Sequence, residues 1–308
     1  MSYREIPFFF DVEGSALLGI ATVPDSSTQL PLRLGVVIVV GGPQYRVGSH
    51  RQFVLLARAL AAAGVACMRF DYRGMGDSEG PVTGFAAVDA DVCAAIDAFV
   101  DKVPSVERVI LWGLCDGASA SAFYAANDDH RVAGLVLYNP WVRTESGEAI
   151  AVLKHYYARR LLDGGFWRKL AGGGVQWRES VTGLWRRIVQ TASVAKAPEV
   201  GGADTLQDLP NRFADSVARH PRPVLIVLSG NDTVAAEFKR HSTRVPALAA
   251  VVARENVSTV DFPGVDHTFS CAEWRDMGAA ATIAWLRSQF AASLAPGHGN
   301  ALISPEVK

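Results

Sequence analysis

Six short apolar runs, rich in β-branched residues and separated by stretches of helical periodicity, constrain this chain more than any other feature. They are Leu34–Val40 (LGVVIVV), Val65–Tyr72, Arg108–Leu114, Val132–Tyr138, Pro223–Leu228 (PVLIVL) and Val257–Phe262. Continuous rather than alternating apolar character marks strands buried on both faces, and strand–helix alternation is the pattern of a parallel sheet covered by helices. Phe8–Val12 and Leu17–Val23 precede the alternation and read as an opening hairpin. Gln52–Ala63 reads as a helix with Phe53, Leu56, Ala57 and Leu60 on one face, stopped by Gly64. Phe85–Val100 repeats its apolar residues at Val88, Val92, Ile96 and Phe99. Later helices are expected near Ala235–Arg254 and over Ala272–Phe290.

The alternation stops between Trp141 and about His220. Helical pieces divided by glycines (Ala149–Leu162, Phe166–Leu170, Val181–Ala192) fill a stretch too long for one loop. The reading is a core over residues 1–140 and 221–294, a helical insertion over 141–220 after the sixth strand, and a flexible tail over 295–308, rich in Gly and Pro. At 308 residues the chain can bury roughly 75% of its unfolded surface, so a core needs no disulfide or metal. Thirty Lys and Arg against 31 Asp and Glu exclude nucleic-acid binding through overall positive charge. Cys67, Cys93, Cys115 and Cys271 are widely spaced without a zinc or redox motif, which points to a reduced, cytoplasmic setting. The N-terminus leads into a strand rather than a secretory leader, and no apolar run approaches the roughly 20 residues of a spanning helix. No metal or cofactor site is expected.

The chemistry concentrates at Gly113-Leu114-Cys115-Asp116-Gly117, a G-x-C-x-G segment between an expected strand and an expected helix. A nucleophile elbow has this form, usually with serine at its centre; the glycines let a strained turn pack against neighbouring backbone. The helix N-terminus beyond it is expected to lower the thiol pKa. Elbow sites continue with an acid and then a histidine in chain order. Asp232 lies just past the PVLIVL strand and His267 just past the last strand, both at carboxyl ends where open α/β sheets build their sites. The expected triad is Cys115 as nucleophile, His267 as base and Asp232 as orienter of the imidazole. Asp266 ranks below Asp232 because adjacent side chains diverge. The Asp116 backbone N–H is one expected oxyanion donor. The second belongs to the loop Gly41-Gly42-Pro43-Gln44, and because Pro43 has no N–H the expectation moves to Gln44, with a side-chain donor as the alternative. Tyr45, Arg46 and Trp141 are candidate substrate contacts. Cys271, four residues after His267, reads as a core cysteine at a helix start.

With these residues in place the chain resembles the α/β-hydrolase superfamily over nearly its whole length. Asp71-Tyr72-Arg73-Gly74-Met75-Gly76-Asp77-Ser78 is similar to that superfamily's D-x-R-G-x-G-x-S segment, which the resemblance makes a structural turn with a buried polar network beneath the elbow. More narrowly, GGPQYRVGSHRQF (Gly41–Phe53), FDYRGMGDSEG (Phe70–Gly80), WGLCDGAS (Trp112–Ser119) and NPWVR (Asn139–Arg143) resemble the exosortase A system-associated hydrolases, type 1. That resemblance implies an α/β-hydrolase fold with a lid after the sixth strand and a bacterial role tied to exopolysaccharide production. A cysteine at the elbow is shared with dienelactone hydrolases, which the rest of the chain does not resemble.

Between Trp141 and Lys196 stand ten Lys and Arg against four acids, with four of the seven tryptophans. Such a lid suits an anionic sugar, an acyl-carrier headgroup or the surface of an anionic membrane. The expected function is an esterase or thioesterase acting on a small acyl or sugar-linked substrate. Acyl transfer from the same cysteine, or partner binding without catalysis, are the alternatives.

Overall fold

In the computed structural model, residues 3–25, 33–41, 44–143 and 208–290 are described. Eight strands form one sheet in the order β1-β2-β4-β3-β5-β6-β7-β8. β1 (Tyr3–Val12) and β2 (Ser15–Pro24) make the expected hairpin, longer at both ends, and turn at Glu13 and Gly14 with φ of 52° and 83°. Two left-handed residues in a two-residue turn match the twist of the flanking strands. β2 pairs antiparallel with β4 (Ala66–Phe70), and every later pairing is parallel. β3 (Leu34–Val39), β5 (Arg108–Leu114) and β6 (Val132–Tyr138) occupy the middle and are buried on both faces apart from Arg108, as their continuous apolar character requires.

The sheet divides the core in two. On one face α1 (Gln52–Ala62) and α7 (Ala272–Phe290) press Phe53, Leu56, Leu60, Trp285 and Leu286 onto Val36, Ile38, Ile110 and Val136. On the other lie α2 (Asp89–Lys102), α3 (Asp116–Ala125), α4 (Leu209–Arg219), α5 (Thr233–Arg244) and α6 (Pro246–Val252). α3 is buried along nearly its whole length, and its Gly, Ala and Ser side chains let it lie close to the sheet.

Three expectations need correction. The helix expected over Ala235–Arg254 is two, because Pro246 cannot continue α5 and holds Val245 extended at φ −100°, ψ 109°. The helix expected from Phe85 opens as a separate 3-10 turn, Phe85–Ala87, and α2 begins only at Asp89, after Val88 leaves helical geometry at ψ 16°. Residues 209–219, expected within the insertion over 141–220, belong instead to the main core: α4 packs Leu209, Phe213, Ala214 and Val217 into it, with Phe213 edge-on to Phe238 at 5.7 Å. The helical pieces expected within 144–207 and the tail over 295–308 lie outside the described residues. β7 (Val224–Asn231) and β8 (Val257–Asp266) run longer than expected and deliver Asp232 and His267 at one edge of the sheet. No helix among the described residues is long and apolar enough to cross a membrane.

Candidate active site

The elbow begins where β5 ends. Cys115 has φ 63° and ψ −126°, a conformation that costs an L-residue on the order of 1–3 kcal/mol and is held by its surroundings. Its N–H donates to the Tyr138 carbonyl at 2.9 Å, and its own carbonyl accepts from Ala118 N at 3.1 Å and Trp141 N at 3.2 Å. A Cβ at Gly113 would stand 2.3 Å from the Gly117 carbonyl oxygen, and one at Gly117 would stand 2.4 Å from that of Val39. The two glycines are therefore backbone requirements of the turn.

Asp232 caps α5, accepting from Val234 N at 3.0 Å and Ala235 N at 3.2 Å. Its Oδ2 also lies 2.9 Å from His267 Nδ1. The capped helix fixes the carboxylate, and the carboxylate fixes the imidazole. His267 is itself shaped by Asp266, which accepts from Thr268 N at 3.2 Å, from Ser270 N at 3.0 Å and from the Ser270 hydroxyl. These bonds, together with burial that opposes them, leave the Asp266 carboxyl below its usual pKa. Asp266 is thus a turn-forming residue beside the histidine.

The thiol departs from expectation. Burial pushes Cys115 up to about 12, and the Asp116 carboxylate adds to it. The Asp116 backbone N–H opposes this, the Asp232 carboxylate reinforces it, and the Arg143 guanidinium opposes it. Desolvation with two nearby carboxylates outweighs the helix N-terminus, so at neutral pH the sulfur is a thiol.

The loop after β3 presses on the elbow: a Cβ at Gly41 would lie 2.2 Å from Asp116 Oδ1 and 2.7 Å from Gly117 N. Gly42 and Pro43 lie outside the described residues. Gln44 follows, its Oε1 buried without a hydrogen-bond partner. Tyr45 is exposed, beside Arg46. The Arg46 guanidinium pairs with Asp71 and, at 2.6 Å, with Asp77, and its backbone N–H donates to Asp71 at 2.6 Å. These bonds fasten this loop to the segment after β4. There Asp77 N donates to Asp71 at 3.1 Å and Arg73 pairs with buried Asp91 at 3.0 Å, the polar network that the resemblance implied.

Trp141 is half-buried and packs against the core, with the Arg143 guanidinium 4.9 Å from its ring centre. Arg143 Nε donates to buried Glu237 of α5 at 2.5 Å. Composition alone counts Arg143 among the basic insertion residues; only the fold brings its charge to bear on Cys115. Cys271 stands at the start of α7 as expected but is exposed rather than in the core. Among the described residues no group of three or more His, Cys, Asp and Glu could hold a metal ion.

An eight-stranded sheet of this order, with a strained elbow after β5, a carboxylate after β7 and a histidine after β8, defines the α/β-hydrolase fold. Residues 34–270 match the family model described as serine aminopeptidase, S33, and the chain belongs to that family. Among solved structures it is similar to the Pyrococcus furiosus esterase Pf2001, with a TM-score of 0.61 at 13% identity over 93% of this chain and 92% of that one. Est1E from Butyrivibrio proteoclasticus, solved with ferulic acid bound, gives 0.58 at 18% identity over 92% and 99%. Proline iminopeptidase from Mycobacterium smegmatis gives 0.60 at 15% over 94% and 100%. At these identities the likeness is one of fold. No curated protein sequence matches the chain.

Proposed function

We propose that the chain hydrolyses a small ester or thioester through a covalent acyl-cysteine at Cys115. The observation that carries this reading is the 2.9 Å bond between Asp232 and His267 at the strand-end edge that also bears the strained Cys115. Because the resting sulfur is a thiol, His267 takes its proton as the sulfur attacks the carbonyl carbon. The resulting oxyanion is met by the N–H of Asp116 and, in this reading, of Gln44. Collapse expels the alcohol or thiol, which receives the proton from His267. Water, deprotonated by the same imidazole, then attacks the thioester and releases the acid and the free thiol. Asp232 holds the imidazole in the tautomer that accepts at Nε2 and stabilises its charged form.

A cysteine where the S33 family name implies serine suits an activated acyl donor, since sulfur is the stronger nucleophile and thioesters are labile to water. The four motifs shared with the exosortase A system-associated hydrolases support a cytoplasmic role on acyl or sugar-linked intermediates of exopolysaccharide production. The excess of basic residues and tryptophan between Trp141 and Lys196 supports an anionic substrate or contact with a membrane surface.

The test is intact mass after brief exposure to p-nitrophenyl and thioester acyl donors, in wild type, Cys115→Ala and His267→Ala. A transient adduct on wild type, absent in Cys115→Ala and slow to form or persistent in His267→Ala, is expected. Absence of both adduct and turnover in wild type across donors counts against catalysis and for a partner-binding role. Ester product formed from an added sugar alcohol marks acyl transfer.

A further inference from the structure

We propose that Asn139 is the positioning residue of this site, joining the loops that carry Asp232 and His267 to the backbone that holds Cys115. The proposal deepens the triad reading and rests on it. Asn139 is the first residue after β6, fully buried, at φ 45°. Asparagine is among the few non-glycine residues that tolerate this left-handed backbone. Its N–H donates to the Val227 carbonyl at 2.8 Å, extending the ladder to β7. Its side-chain Oδ1 accepts from Ser229 N at 2.8 Å, and Nδ2 donates to Ser229 Oγ at 3.0 Å and to the His267 carbonyl at 3.4 Å. Both amide protons and the amide oxygen are therefore used.

The residues flanking it grip the nucleophile. Tyr138 O accepts from Cys115 N, and Trp141 N donates to Cys115 O. Within four consecutive positions, Tyr138 and Trp141 thus hold the elbow by backbone, and the Asn139 amide holds Ser229 and His267. The amide acts where strand pairing is irregular: the register between β7 and β8 shifts between Ser229 and Asn231, immediately before Asp232. Asn139 takes hold of Ser229 on one side of that irregularity and of His267 on the other. His267 is therefore held at two points, its imidazole by Asp232 at Nδ1 and its backbone carbonyl by the Asn139 amide. An imidazole displaced by about 1 Å loses on the order of a hundredfold in rate.

The measurement is the pH dependence of Cys115 alkylation by iodoacetamide, read on the Cys115 peptide by mass spectrometry. It compares folded wild type, His267→Ala, Asn139→Gly and Asn139→Asp, with kcat and KM on a p-nitrophenyl ester in parallel. Glycine keeps the backbone conformation without the amide, and aspartate keeps the acceptor for Ser229 N without the donors. Wild type is expected to be alkylated faster than His267→Ala at neutral pH, because His267 takes the thiol proton as the sulfur attacks. Asn139→Gly should move to the His267→Ala profile, with reactivity at pH 7 down at least tenfold and kcat reduced at little-changed KM. A folded Asn139→Gly whose profile overlays wild type overturns the assignment. If Asn139→Gly does not fold, Asn139→Asp decides by the same criterion. Coincident profiles for wild type and His267→Ala overturn the triad instead, and this role with it.

Discussion

Gly117 has no room for a side chain, because a Cβ there would meet Val39 O at 2.4 Å and Gly41 N at 3.0 Å, both backbone atoms that cannot rotate away. Gly14 differs: its φ is 83°, yet a Cβ would find nothing within 4 Å. Gly117→Ala should therefore cost about 3 kcal/mol or more through forced movement of β3 against α3. Gly14→Ala should cost about 1 kcal/mol, from backbone strain alone. Urea unfolding of the two variants measures the difference, and equal losses would contradict the close approach. The elbow glycines were readable as a motif because the steric demand is local. The ionisation of Cys115 was not, since Asp232 bears on it from 117 positions away in sequence, and a motif carries no measure of burial. Asn139 was visible only as an Asn before a Pro at a strand end; the bonds that give it a role come from β7 and β8.

At the scale of elements, strands and helices with unbroken periodicity and clear ends were legible: β5, β6 and α7 fall on the residues read from sequence. α4 was not, because it follows a long stretch without strands and its apolar face is recognisable only once α3 is there to meet it. α4 ends on His220, which is almost fully buried, with Nε2 unpartnered. A helix C-terminus ordinarily favours a charged histidine. Here burial first, and then Arg222 and Arg254, hold its pKa down to about 4. The unfolded chain takes up this proton below about 6.5 while the fold refuses it, so stability is full above that pH and declines as pH falls toward 4. The loss between pH 7 and pH 5 should be about 2 kcal/mol. His220→Phe should remove that part of the slope in urea midpoints, and an unchanged slope would show the histidine to be protonated in place.

For the molecule as a whole, the two cores on either side of the sheet hold groups whose charged forms they exclude. Cys67 lies fully buried among the α1-side residues, with burial pushing its thiol up to about 12, and Cys115 reaches the same value at the elbow. Burial also raises the phenols of Tyr72 and Tyr138. Above about pH 9 the unfolded chain releases protons that the fold retains, so stability is full below that pH and falls progressively toward 12. Each of the two thiols should contribute about 2 kcal/mol of loss between pH 8 and pH 10.5. Cys67→Ala should lower stability at pH 7 by about 1 kcal/mol while making the alkaline decline shallower. A decline as steep as in wild type would place the cause elsewhere. The storage of Cys115 as a thiol has a further consequence, in oxidative chemistry. Peroxides and disulfides consume thiolates, so a sulfur kept protonated reacts slowly with both. Cys271, exposed at the start of α7, is open to such oxidants. Burial that makes Cys115 harder to ionise thus also shelters it from oxidative damage.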